Sequence, residues 1–248
     1  MTNISIITAV YNRGATITEA ISSVSSQTSP AFEHLVIDGA SSDGTVAAVR
    51  AAMHAHMRLI SEPDGGIYDA INKGIAQAKG DVIGLLHSDD FLAHNQVLEL
   101  VDDAFRQPDV NAVYGDLDYV SADDTSRVIR RWRSGSYSPD KLRHGWMPPH
   151  PTLFLRREVF ERCGTYDTSY HIAADYDAIL RFFSRGELRP YYIPQVLVKM
   201  RMGGESNRSI GKVVQKSVED YRALRSNRIG GFISLALKNL RKLGQFIV

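Results

Sequence analysis

Four short apolar runs recur in the first hundred residues, each followed by a stretch suited to a helix. This alternation constrains the fold more than any other feature of the chain. Ile4–Val10, His34–Ile37, Arg58–Ser61 and Val82–His87 read as strands. Ala15–Gln27, Thr45–His56, Ile67–Ala78 and Asn95–Arg106 read as helices. Strands joined through helices run parallel, because the crossover returns the chain to the edge from which it left. The helices then cover both sheet faces. The expected class is α/β, with a mostly parallel central sheet flanked by helices.

In such sheets ligands bind beyond the carboxyl ends of the strands. Those positions hold Tyr11-Asn12-Arg13-Gly14, Asp38-Gly39-Ala40-Ser41-Ser42-Asp43-Gly44, Glu62-Pro63-Asp64-Gly65-Gly66 and Ser88-Asp89-Asp90. Three of the four loops are acidic. Asp89 and Asp90 would repel each other at a buried strand end, and a hard divalent cation, Mn²⁺ or Mg²⁺, relieves that repulsion. The competing reading is a cap or loop role before the next helix. Asp38 can accept hydrogen bonds from a ribose or a base, while Asp43 caps the helix beginning near Thr45. A nicotinamide site is disfavoured, since Gly-x-Gly-x-x-Gly is missing after the first strand.

The second half changes character. Val113–Val120 and Val128–Trp132 read as an antiparallel pair turning at Asp123-Asp124. The stretch from Gly145 to Pro151 is too rich in proline for a helix. Thr152–Leu155 reads as a strand and Asp175–Ser184 as a helix. Asp177 suits a cap or a pair with Arg181 at i+4.

The chain has 248 residues and a net charge of +1, which argues against nucleic-acid binding by bulk charge. One cysteine excludes an intramolecular disulfide and a cysteine-based zinc cluster. No run approaches the ~18 apolar residues of a membrane span, and the first residues lack the pattern of a secretory signal. Charge is nevertheless polarised, with +7 on residues 206–248 and −6 on the rest. Within 229–248, Phe232, Ile233, Leu237, Leu240, Leu243 and Ile247 recur at helical spacing. Ser234, Lys238, Arg241, Lys242 and Gln245 fall opposite. A basic amphipathic helix of this kind suits an anionic membrane surface. The alternatives are packing of its apolar face on the domain, or on a second subunit in a homodimer.

The motifs together resemble family 2 glycosyltransferases. They are Thr8-Ala9-Val10-Tyr11-Asn12, the Asp38–Thr45 loop, Glu62–Gly74, Ser88-Asp89-Asp90, Ala174–Arg181 and Met202-Gly203-Gly204-Glu205-Ser206. The resemblance is nearest to enzymes of bacterial surface polysaccharides, of the colanic acid and lipopolysaccharide type. It implies the GT-A fold: a catalytic domain over 1–205, with a nucleotide-sugar half (1–110) and an acceptor half (111–205), and a helical tail over 206–248. It implies inverting transfer from a nucleotide-diphosphate sugar, with UDP favoured, to a glycan or lipid-linked oligosaccharide. Thr8, Ala9, Tyr11, Asn12, Asp38, Asp64, Ser88 and Asp89 would bind the nucleotide sugar. Asp90 would hold the cation, Asp175 would be the general base, and His150 would lie near the acceptor. Arg201 and the Gly203-Gly204 loop would close over the diphosphate. Ser88 replaces the first acid of the usual Asp-x-Asp motif. The expected location is cytoplasmic, peripheral on the inner membrane. The rivals are a polyprenyl-phosphate glycosyltransferase and a non-catalytic module that binds sugar nucleotides or glycans.

Overall fold

A computed structural model describes residues 1–203, 210–243 and 245. The first half builds β1 (Ile4–Val10), α1 (Ile17–Ser25), β2 (Glu33–Asp38), α2 (Thr45–Ala51), β3 (Met57–Ser61), α3 (Ile67–Gln77), β4 (Val82–Leu85), β5 (Phe91–Leu92) and α4 (Val97–Phe105). The second half adds β6 (Ala112–Val120), β7 (Val128–Trp132), α5 (Pro139–Arg143), a 3-10 turn (His150–Thr152), β8 (Phe154–Arg156), α6 (Arg157–Cys163), α7 (Ala174–Arg185) and β9 (Pro190–Arg201). Two further helices follow, α8 (Ile210–Ser226) and α9 (Phe232–Leu243).

Among the described residues the strands form one sheet in the order β3-β2-β1-β4-β8-β6-β9-β5, with β7 on β6. β1, β2, β3 and β4 are parallel, as the helical crossovers require. Their near-continuous apolar sequences fit burial on both faces. Gly74 lets α3 lie directly on β1, since a Cβ there would stand 2.4 Å from the Ile7 side chain. The parallel rule stops at β4. β8 runs antiparallel to β4 and β6, and β9 returns parallel to β6. The sheet is therefore mixed as a whole and parallel only in its first half, because the chain enters β8 through a turn rather than a crossover helix. The β6–β7 pair is antiparallel as expected. α2 ends at Ala51 rather than at His56, and the intervening residues turn back towards β3, bringing His54 against His34.

The C-terminal helices depart most from expectation. α9 is amphipathic, but Leu235 packs against the core while polar residues beside it are buried as well. Ser234 and Lys238 are buried, whereas Phe232 and Ile233 are about three-quarters exposed (76% and 75%) and Leu240 is also exposed. Of the alternatives, packing of the apolar side on the domain holds for Leu235 but not for Phe232, Ile233 and Leu240. The buried ammonium of Lys238 lies 2.7 Å from Asp220 on α8 and 3.3 Å from the centre of the Tyr176 ring on α7. These fixed partners explain why α9 sits this way round. Gly145 completes the seat, because any Cβ there would come within 2.4 Å of the Lys238 backbone nitrogen. On α8, Val214, Val218 and Tyr221 form an exposed stripe that continues to Arg225. Arg208, Lys242, Ile247 and the side chain of Leu243 lie outside the described residues and side chains, as does Gly204-Glu205-Ser206 of the last motif.

Candidate active site

The ends of β1, β2 and β3 stand level, with Val10, Asp38 and Ser61 in register. Hydrogen bonds stitch their loops together. The amide of Asn12, a residue with positive φ, donates to the Ser41 hydroxyl at 2.8 Å. Its side-chain oxygen accepts from the Ser42 amide at 2.9 Å. Tyr11 projects outward beside this seam. Asp64 lies against Gly39, where a Cβ would be only 2.4 Å from its carboxylate oxygen. The β2 and β3 loops therefore touch, and Gly39 leaves the space that Asp64 fills.

Asp38 is wholly buried. Its carboxylate accepts from the Ser41 amide at 3.1 Å and the Ser61 hydroxyl at 2.7 Å, so it holds the loop that borders the cleft. Thr8 differs from its expected place in the base pocket. Its hydroxyl is 3.0 Å from His34 Nε2 in the interior, because the alternation of β1 turns that side chain away from the strand ends. Ala9 packs in the core.

Beyond β4, the Thr16 hydroxyl donates to the Ser88 carbonyl at 3.0 Å, tying this loop to the one after β1. Ser88 and Asp90 are buried and Asp89 is half-buried. One oxygen of Asp90 accepts from the Arg201 amide at 3.2 Å, and the other is buried with no hydrogen-bond partner. Burial, and then the charge of Asp89, push the Asp90 carboxyl well above the ordinary carboxylate range. Arg201 also donates to the Asp89 carbonyl at 2.6 Å and pairs with Glu19. It therefore clamps the acidic loop directly, while Gly204 falls outside the described residues. An orphaned, buried carboxylate oxygen next to a second carboxylate suits a hard cation. Among the described residues no three acidic, His or Cys side chains converge into a complete ligand set.

Asp175 lies in the first turn of α7. The link between the two acids is Tyr119 on β6, whose phenol is raised by burial, opposed by Arg130, and raised further by both Asp90 and Asp175. Arg130 stacks over that ring, 4.4 Å from its centre. Burial alone would raise Asp175. Lys216, His150, Lys238 and the Tyr176 amide outweigh it and hold the carboxyl below its ordinary value. The group is thus ionised and able to accept a proton. Asp177 pairs with Arg181 at 3.2 Å, as its i+4 spacing suggested. The Tyr68 hydroxyl donates to the Ile172 carbonyl at 2.7 Å, bringing the start of α3 to the start of α7.

His150 does not reach into open space. It is buried, its Nε2 lies 2.8 Å from the Tyr166 hydroxyl, and its ring neighbours His87. Burial pushes its pKa down to about 4, so the imidazole is neutral near pH 7. It backs the Asp175 wall from within, because the proline-flanked turn folds it under the loop instead of outward.

Sequence reasoning missed Glu219. Its carboxylate accepts from the amides of Ile172 at 2.8 Å and Ala173 at 2.9 Å, just before Asp175. Nothing local marks it, since the contact spans 46 residues and joins two helices. The ring of Tyr119 and its cationic cover, Arg130, were likewise hidden in an ordinary strand pair.

The family described as Glycosyl transferase family 2 matches residues 5–164. The chain belongs to that family. Family 2 relatives include a PGL/p-HBAD biosynthesis glycosyltransferase of Mycobacterium bovis, 31% identical over 213 residues, covering 84% of this chain and 80% of that one. The O-antigen biosynthesis protein RfbC of Myxococcus xanthus is 29% identical over 84% of this chain but only 16% of its own length. Among solved structures, a mannosyltransferase of Pyrobaculum calidifontis in complex with GDP-Man and Mn²⁺ superposes with a TM-score of 0.68 at 20% identity. That match covers 98% of this chain and 72% of the other. S. aureus TarS 1–349 in complex with UDP-GlcNAc gives a TM-score of 0.64 at 17% identity, over 92% of this chain and 66% of that one. The GT-A fold and membership among the family 2 glycosyltransferases follow, and with them the assignment of this chain as a glycosyltransferase.

Proposed function

We propose that the protein is a cation-dependent, inverting glycosyltransferase that moves a sugar from a nucleotide-diphosphate donor to a lipid-linked glycan of a bacterial surface polysaccharide. The carrying observation is the pair of carboxylates that share Tyr119 as a neighbour. Asp90 has an unpartnered buried oxygen, Asp175 is held ionised, and the charges of both raise the Tyr119 phenol. Asp90, with Asp89 beside it, would hold Mn²⁺ or Mg²⁺, leaving the remaining positions to phosphate oxygens and water. Bound there, the cation offsets the charge that develops on the leaving diphosphate. Tyr11, Asn12 and Asp64 line the nucleotide side, with Asp38 bracing their loops from behind. Asp175 takes the proton of the acceptor hydroxyl, an assistance worth roughly 10²–10⁴-fold in rate. A single displacement from the side of the base inverts the anomeric centre and calls for no covalent nucleophile. UDP is the favoured donor nucleotide on the family resemblance, while the archaeal neighbour carries GDP-Man.

The apolar stripe of α8 and the outward side of α9 support a peripheral position on an anionic membrane. Fully burying a side chain such as Phe232 or Ile233 is worth ~1.5–3 kcal/mol. Arg225 and Arg228, both exposed, add attraction to anionic lipid. The helices are too short and too polar to cross a bilayer. A membrane position puts the catalytic crevice near a lipid-linked acceptor.

Hydrolysis of UDP- and GDP-sugars with and without Mn²⁺ tests the reaction. Metal-stimulated release of the nucleotide, abolished in Asp90→Ala, is the expected result. Asp175→Asn should stop transfer and still bind donor; near wild-type turnover in that variant overturns the assignment of the base. Sedimentation with phosphatidylglycerol liposomes tests the location, and unchanged binding after removal of residues 229–248 refutes it.

A further inference from the structure

A cavity of about 360 Å³ opens between β7, the Gly145–Met147 loop and α9. Its wall is cationic and aromatic at once: Arg131, Arg133, Arg241 and Lys238 alternate with Trp132 and Trp146. Two of these charges are already matched. Arg133 lies 2.9 Å from Asp118, and Lys238 lies 2.7 Å from Asp220. The other two are not. Among the described residues Arg241 bonds through its Nε to the His144 carbonyl at 2.9 Å and forms no ion pair, and Arg131, opposite Asp118 in the β6–β7 register, forms none either. With Asp116 also 3.7 Å from Arg133, the described charges leave the cavity about one positive charge in excess, on guanidinium forks suited to phosphate oxygens.

Two further observations give its occupant a chemistry. Lys238 lines the cavity and its ammonium lies 3.3 Å from the centre of the ring of Tyr176, the residue after Asp175, so the cavity lies on the side of the base rather than of the donor. Arg241 is next in sequence to the exposed Leu240, which belongs to the outward apolar side of α9. A ligand with phosphate in the cavity could thus run its hydrocarbon along that side while its sugar faces Asp175.

We propose that this cavity binds the phosphate or diphosphate of a lipid-linked acceptor, through Arg131 and Arg241, with the hydrocarbon chain lying on the outward side of α9. Calling this ligand an acceptor rests on the glycosyl-transfer reading above; the site itself rests on the cavity.

The chain's two tryptophans, Trp132 and Trp146, both line the cavity, so intrinsic fluorescence reports on it directly. The full-length protein, without donor or metal, is titrated with farnesyl diphosphate, inorganic pyrophosphate, farnesol and dihexanoyl phosphatidylglycerol. The expected result is a saturable change with farnesyl diphosphate, at lower concentration than with any other probe. Arg131→Ala and Arg241→Ala should each weaken it about 10-fold, the loss of a charge-assisted contact. Both arginines are exposed, so the variants retain the fold, and their melting temperatures check this. Three results overturn the proposal: no fluorescence change, binding undiminished in both variants, or pyrophosphate binding as tightly as farnesyl diphosphate. Equal binding of phosphatidylglycerol would make the cavity a headgroup site for bulk lipid and also overturns it. Failure of nucleotide-sugar hydrolysis in the unaltered protein would instead strike the reaction, since the titration contains no donor.

Discussion

The four-stranded parallel half and the α8–α9 hairpin are held by different balances of apolar and polar contact. In the former, Ile7, Leu35, Ile37 and Ile83 are buried between sheet and helices, and the polar contacts inside, Ser5 with Glu33 and Thr8 with His34, only join neighbouring strands. In the latter, Ala223, Leu224 and Ile229 enter the core and Leu235 packs against it, but polar contacts fix the orientation of α9. Lys238 pairs with Asp220, Glu219 caps the amides before Asp175, and Arg241 reaches the His144 carbonyl, while Phe232 and Ile233 face outward. An ordinary surface helix does the reverse. The contrast shows that amphipathicity specifies that a helix has two sides, and that the partners elsewhere in the chain decide which side turns inward.

Substitution should break this contrast most sharply at Lys238. Lys238→Met would leave buried Asp220 with only Lys216, 3.9 Å away, and losing the close partner of a buried pair typically costs up to ~3–5 kcal/mol. Chemical denaturation is the measurement, and Asp220→Leu in the same chain should recover most of the loss. The parallel half should respond to volume instead: Leu35→Ala is expected to cost ~2–5 kcal/mol, with no rescue by any change of charge. An acid titration sharpens the comparison further. Burial, and secondarily the charge of His54, push the pKa of His34 down to about 3. The unfolded chain takes up this proton below about pH 6.5 and the folded chain does not. Stability is therefore full above that pH and falls as pH drops towards 3, by on the order of 2 kcal/mol at pH 5 from His34 alone. Melting temperatures between pH 7 and 5 should show the slope, and His34→Gln should flatten it. The smallest effect belongs to the hairpin's outer side. Phe232→Ser should change stability by less than about 0.5 kcal/mol and still weaken binding to phosphatidylglycerol liposomes. A large loss of stability there would mean that the side chain is packed after all.

The two halves were also unequally legible. β1 was recoverable residue for residue, and β2 to β4 nearly so, because parallel strands buried on both faces leave continuous apolar runs between turn signals. The pairing of Asp177 with Arg181 could be read from helical spacing alone. Thr8 could not be placed, since its direction depends on the position of His34 on a neighbouring strand. The short β5 was overlooked and β9 was read as strand only at Tyr191-Tyr192: a two-residue strand has no period, and β9 alternates buried and exposed residues irregularly. His150 looked like a loop residue open to ligand, and only the fold reveals Tyr166 beneath it. The tail's periodicity was evident, but its orientation is fixed by Asp220, Tyr176 and Gly145, which no local window contains.

The grip of Glu219 on the amides of Ile172 and Ala173 also bears on biosynthesis. Domains fold from the N-terminus as the chain leaves the ribosome. β5 and Asp90 wait for β9 and the Arg201 amide, and the amides ahead of Asp175 wait for Glu219, so both acidic positions are completed only when the last quarter of the chain has been made.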